Sequence, residues 1–144
     1  MGMSISHQAL YNVQQDFICR IMTYNVEWGF LTLPGDINKD SCGHRIPQTK
    51  EAQEENLKLI SKNIGIVNPD ICFLQEMGSL DAVKFVASTL NNFFGLNYLA
   101  YYSNTDSGYQ GVGLLIRNSI SEYCSVDNIP NFPLNRALGI IVNK

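Results

Sequence analysis

The chain lacks the features that mark several protein classes. It has no run of lysine or arginine, and ten basic against thirteen acidic residues leave a formal charge of −3. That excludes a strongly basic nucleic-acid coat, though not an enzyme that touches phosphate through a few groups. Uninterrupted apolar runs are short, such as Leu114–Ile116 and Gly139–Val142, so no membrane-spanning helix fits and no integral membrane protein is expected. The four cysteines, Cys19, Cys42, Cys72 and Cys124, form no CxxC pair, which argues against a zinc knuckle or a thioredoxin-type site. Histidine is confined to His7 and His44. The first fifteen residues carry neither a basic n-region nor a long apolar h-region, so a secretory signal is not read there. The expected setting is reducing and cytoplasmic. Cys19 and Cys72, each inside an apolar run, read as buried free thiols. Met1-Gly2-Met3-Ser4-Ile5-Ser6 fits the loose myristoylation pattern, but no basic patch follows to strengthen a single acyl anchor.

What is present is globular. The 144 residues are 45% apolar and 16% charged, enough for one domain with its own core. Residues 1–16 are polar and aperiodic and read as a loose arm; residues 17–144 form the domain. Phe17–Tyr24 has the β-forming composition of a strand, ended by Asn25 to Gly29. Residues 30–47, with Pro34, Gly35, Gly43 and Pro47, read as a long loop. Ala52, Asn56, Leu57, Ile60 and Ile64 make one helical stripe, with Gly65 as a stop. Glu51, Glu54 and Glu55 read as its solvated face. Ile71–Leu74 is wholly apolar, which predicts a strand buried on both faces. A second helix opens at Gly78 and Ser79, with its stripe on Leu80, Val83, Val86, Ala87 and Leu90. Strands follow at 98–102, 112–117, 120–126 and 138–142. The helix over 52–64 should bring the first two strands side by side and parallel through a right-handed crossover. Later strands should pair antiparallel. Helices on one side of such a sheet would leave an apolar face for a second copy or a partner chain to cover.

Two strand ends carry polar residues in positions suited to chemistry: Asn25 after the first strand and Glu76 after the second. In open α/β sheets, ligands sit at the carboxyl ends of parallel strands. A carboxylate beside an amide oxygen suits a hard cation such as Mg²⁺. The same residues can instead be read as a turn cap and a surface carboxylate. Tyr101, Tyr102 and Tyr109 could stack on a base or lipid, and Trp28 could line a rim, although packing explains each.

Three segments resemble one family. Arg20-Ile21-Met22-Thr23-Tyr24-Asn25-Val26, Pro69-Asp70-Ile71-Cys72-Phe73-Leu74-Gln75-Glu76 and Gly111-Val112-Gly113-Leu114-Leu115-Ile116-Arg117 are similar, in order and interval, to the N-terminal half of the endonuclease/exonuclease/phosphatase superfamily. Asn135–Val142 resembles the strand that follows. The resemblance implies an α/β, DNase I-like sandwich flanked by helices, in a half or truncated version. It implies a Mg²⁺- or Mn²⁺-dependent hydrolase of phosphodiesters or phosphomonoesters, with nucleic acid or a phospholipid or inositol head group as substrate. Glu76 falls at the family's metal-ligand position, and Asn25 at the asparagine that orders the metal and phosphate site. The family's later Asp-x-Asn and Ser-Asp-His motifs have no counterpart here. Pro34-Gly35-Asp36-Ile37-Asn38 imitates the first of them from the wrong position and reads as a turn, and His44 reads as a solvated loop residue. The expectations are feeble metal binding and little turnover by this chain alone. The alternative is a non-catalytic binding module built on the same fold.

Overall fold

A computed structural model describes residues 18–33, 46–103, 110–128 and 138–142. Four strands form one mixed sheet: β1 (Ile21–Gly29), β2 (Ile71–Met77), β3 (Tyr98–Ser103) and β4 (Gly111–Arg117). Their spatial order is β1-β2-β4-β3. β1 and β2 are adjacent and parallel, in register from Ile21 opposite Ile71 to Asn25 opposite Gln75. β4 runs antiparallel to both β2 and β3. A separate hairpin pairs β5 (Cys124–Asn128) with β6 (Leu138–Val142).

Two helices cover one face of the sheet. The first, α1 (Lys50–Val67), starts where the Thr49 hydroxyl accepts the Ala52 N–H at 3.1 Å. Such a cap satisfies one of the otherwise orphaned first-turn donors. The second, α2 (Leu80–Phe94), uses Ser79 in the same way on Ala82 and ends at Gly95 in the left-handed region. Leu57, Ile60 and Ile64 of α1 join Val83, Val86 and Leu90 of α2 in burying Cys72, Leu74 and Leu115 of the sheet. Asn63 adds a polar tether, donating to the Tyr24 hydroxyl at 3.0 Å.

Gly65 does not stop α1, which continues to Val67 and closes on Asn68 at φ 53°. A side-chain carbon at Gly65 would lie 2.9 Å from the Phe94 ring, so this glycine is where the ends of the two helices meet. The inward stripe of α1 is also shifted from the expected one: Gln53 and Ser61 are buried, whereas Ala52 is exposed. Glu51 and Glu55 do face solvent, and Glu55 pairs with Lys58 at 2.6 Å.

The opposite face of the sheet is covered unevenly. Ile71, Leu114, Ile116 and Ile120 are buried there, with Cys19, Phe73, Tyr101, Cys124 and Val126 packed against them. Ile21 nevertheless remains 61% exposed. Residues 118–123 form a 3₁₀ helix, and the strand begins only at Cys124. The expected strand over 120–126 is therefore half turn, because Asn118 and Ser121 close a local hydrogen bond at 2.8 Å. Cys19 is half-buried, unlike the fully buried Cys72.

At the edge where β2 begins, Arg20 and Arg117 bind the chain together. The Arg20 guanidinium donates to the Val67 and Asn68 carbonyls at 2.9 and 3.2 Å, capping the α1 C-terminus. Arg117 donates to Pro69 O at 3.1 Å, to the Tyr98 hydroxyl at 3.0 Å and to Asn68 Oδ1. It also lies over the Tyr98 ring, 5.1 Å from its centroid. No helix among the described residues is long and apolar enough to cross a membrane.

Candidate functional site

At the opposite end of the sheet, β1 and β2 both leave regular geometry. Their register shifts between Asn25 and Gly29, and the register of β2 with β4 shifts between Gln75 and Met77. Among the described residues, four non-glycine positions have positive φ, and three of them are here: Glu27 at 46°, Trp28 at 67° and Glu76 at 64°. Each costs roughly 1 kcal/mol or more against ordinary strand geometry. Strain of this kind persists only where surrounding contacts enforce it, and it gathers at functional sites.

The irregularity has a local purpose. Asn25 stands opposite Gln75 and shares its face of the sheet. A regular strand would send Glu76 to the other face. The left-handed turn at Glu76 brings its carboxylate back to Asn25 instead. Asn25 Nδ2 donates to Glu76 Oε1 at 3.0 Å. Asn25 Oδ1 is itself fixed by the Glu27 N–H at 3.0 Å, which sets the orientation of the amide. The second carboxylate oxygen, Oε2, accepts from Gln110 Nε2 at 3.2 Å. One residue before Glu76, Gln75 Nε2 donates to Thr23 Oγ1 at 2.7 Å, clamping the two strands just before they diverge.

The two residues singled out by spacing are thus brought into contact, though not as a pair of oxygens facing a common point. The asparagine presents its NH₂ to the carboxylate, so it orients Glu76. Sequence pattern does not mark Gln110 as part of the site. It lies just outside the apolar β4 run, and no local pattern distinguishes it from a loop glutamine. Glu27 reads in the sequence as an ordinary strand-end charge, yet its backbone holds the Asn25 amide.

Around this centre, Trp28 stacks on Phe30 with ring centroids 5.9 Å apart, and Phe30 is buried with Ile46. Tyr102 packs against the core and donates to Met77 O at 3.2 Å, while Tyr101 packs on the other face. Both tyrosines therefore have packing roles. Asp36, Asn38, His7, His44, Cys42 and Tyr109 lie outside the described residues. Among the described residues, no group of three or more His, Cys, Asp or Glu side chains gathers to hold a metal.

No curated protein sequence matches the chain. Similar solved structures include the crystal structure of TDP2 from C. elegans, at 19% identity and TM-score 0.44, with 86% of this chain and 30% of that one covered. A truncated Caenorhabditis elegans TDP2 is 20% identical at TM-score 0.43, with 81% and 37% covered. The chain thus spans about a third of the length of these structures. The model of the Endonuclease/Exonuclease/phosphatase family matches residues 22–141, from the start of β1 into β6 and across both Asn25 and Glu76. On that match the chain, a mixed α/β fold with helices flanking its sheet, belongs to the endonuclease/exonuclease/phosphatase family.

Proposed function

We propose that the chain carries the metal-anchoring part of a phosphoesterase site. Glu76 holds Mg²⁺ or Mn²⁺, Asn25 orders its carboxylate, and the substrate is a phosphate ester of nucleic acid or of a phospholipid or inositol head group. The observation that carries this reading is the 3.0 Å contact between Asn25 and Glu76 at the carboxyl ends of two parallel strands, made through a left-handed Glu76.

The donor set is compatible with such an ion. Asn25 and Gln110 each supply one N–H to one carboxylate oxygen, and a carboxylate oxygen has further lone pairs to offer. Mg²⁺ commonly rests on one or two carboxylates, its own waters and the substrate phosphate. Bound there, the ion would act as a Lewis acid on a phosphoryl oxygen. The protein's own contribution is orientation. Asn25 and Gln110 fix the carboxylate plane, the Glu27 N–H fixes Asn25, and the Gln75–Thr23 bond fixes the strand ends. Such supporting contacts typically matter about 10- to 100-fold in metal affinity.

Calorimetric titration of Mg²⁺ and Mn²⁺ against the wild type and Glu76→Gln tests the reading. The expected result is shallow binding by the wild type and a loss of about tenfold or more in the variant. Equal binding by both removes Glu76 from the site.

A further inference from the structure

We propose that Arg20 and Arg117 form a phosphate-binding site at the end of the sheet remote from Glu76. An open cavity of about 230 Å³ lies there, lined by Ile18, Arg20, Asn68, Asp70 and Arg117. Arg20 immediately precedes β1 and Arg117 ends β4, so the topology brings together two guanidinium groups that are far apart in sequence. Both are anchored on one residue. Arg20 Nη1 donates to the Asn68 carbonyl at 3.2 Å and to Val67 O at 2.9 Å, and Arg117 Nη2 donates to Asn68 Oδ1. Asn68 is itself fixed as the left-handed cap of α1. The two groups are thus held within the span of a single asparagine before any ligand arrives, which spares the ligand the cost of ordering them.

Neither arginine uses all of its donors. Arg20 spends Nη1 on the two carbonyls, and its Nε and Nη2 have no partner among the described residues. Those two nitrogens form the edge with which a guanidinium grips an oxyanion bidentately. Arg117 works through Nη2, on Asn68, Pro69 O and the Tyr98 hydroxyl, which leaves Nη1 without an acceptor among the described residues. Its buried Nε also makes no hydrogen bond, with Asp70 Oδ1 standing 3.6 Å away. Charge points the same way. Asp70 is the one carboxylate of the lining, and its Oδ2 is taken by the Arg20 N–H at 2.8 Å. Two cations against one anion leave a positive surplus, which the C-terminal end of α1, equivalent to about half a negative charge, reduces without cancelling. A carboxylate ligand is satisfied by one guanidinium edge, whereas a phosphate has further oxygens for the second arginine. Ile18, 88% exposed, supplies an apolar lip on which the organic part of a phosphate monoester can rest.

The test is titration of the full chain with inorganic phosphate and, separately, with phenyl phosphate, followed by the ¹H–¹⁵N signals of the arginine side chains. EDTA is present, so that no divalent ion recruits phosphate to Glu76, and chloride holds the ionic strength constant. The expected result is a saturable shift of the Arg20 Nε–H signal in the millimolar range with both ligands and none with chloride alone. Tighter binding of phenyl phosphate assigns the site to esters, and equal or weaker binding assigns it to free phosphate; either supports the site. Arg20→Lys keeps the charge but lacks the edge, and should bind about tenfold more weakly. Ile18→Glu places a negative charge on the lip at a side chain outside the core. It should weaken binding several-fold with an unchanged thermal midpoint, so the test stands even where Arg20→Lys folds poorly. No saturable shift, the same shift with chloride, shifts confined to Asn25, Glu76 and Gln110, or full affinity in Ile18→Glu would overturn the proposal.

Discussion

Gln110 Nε2 reaches Glu76 Oε2 at 3.2 Å, so the residue that leads into β4 restrains the carboxylate at the end of β2. Asn25, arriving from β1, restrains the other oxygen. Three strands therefore converge on a single side chain.

Removing either restraint should loosen Glu76 without unfolding the domain, because Asn25 is exposed and Gln110 only half-buried. Asn25→Ala and Gln110→Ala are each expected to lower Mn²⁺ affinity about tenfold, while thermal midpoints stay within a few degrees of wild type. Calorimetric titration beside a thermal melt checks both halves of this statement. An unchanged affinity in both variants would make the amides bystanders.

The chain alone is expected to hydrolyse a model phosphodiester no faster than Glu76→Ala. Phosphoryl transfer needs positioning, charge stabilisation and a proton acceptor acting together. The side chains that meet Glu76 in the described site are the amides of Asn25 and Gln110, which orient it and take no proton. Metal-dependent turnover abolished by Glu76→Ala would instead send attention to Asp36, Asn38 and His44, or to groups supplied by a second chain.

Much of this arrangement was legible from residue pattern. The apolar 71–74 segment announced a strand buried on both sides, and the helix between the first two strands implied their parallel pairing. Asn25 and Glu76 stood out because they end those strands. What escaped was what depends on tertiary contact. Gly65 looks like a helix stop until the Phe94 ring lies against it. Ile120 and Tyr123 favour strand by composition, yet the Asn118–Ser121 bond winds them into a 3₁₀ turn. Nor could pattern foresee that Glu76 reaches Asn25 only by a left-handed backbone turn, since a strict two-residue alternation puts them on opposite faces.

Core packing gives a stability prediction. A side-chain carbon added at Gly113 would lie 2.7 Å from Val83 Cγ2 and 3.1 Å from Met77 Cγ. Both neighbours are fully buried between sheet and α2. Gly113→Ala should destabilise by about 1–3 kcal/mol through overpacking, measurable as a lower urea midpoint. A midpoint at or above wild type would mean that α2 can retreat from the sheet.

Arg117 should resist conservative replacement. Its guanidinium reaches Pro69 O and the Tyr98 hydroxyl while stacking on that ring, and its Nε lies 3.6 Å from Asp70 Oδ1. A lysine has neither the fork nor the planar face. Arg117→Lys is expected to recover less than half of the stability lost in Arg117→Ala, itself about 2–3 kcal/mol. Equal stability of the lysine variant and wild type would reduce the site to a simple charge.

Alkaline pH offers another test. Burial pushes the Cys72 thiol up to about 12 from an ordinary 9.0. Between those values the unfolded chain has released this proton and the folded chain still holds it. Stability contributed by the neutral thiol is therefore complete below about pH 9 and is lost as pH climbs toward 12, costing about 1 kcal/mol by about pH 10. Urea midpoints at about pH 8 and about pH 10 should fall more steeply for wild type than for Cys72→Ala. Parallel declines would exclude this thiol as the cause.

β1 is held on one side only: in the described sheet it has β2 as a neighbour and nothing on its outer edge. Asn25 and Glu27 ride on that edge strand, whereas Glu76 sits on β2, which is paired on both sides. Local opening of a sheet begins where hydrogen bonding is one-sided. Each breathing excursion of β1 separates the Asn25 amide from its carboxylate, while Gln110 stays with Glu76. The order of the site is thus coupled to the fraying of one strand, and anything that pairs with the outer edge of β1 would tighten the carboxylate without touching it.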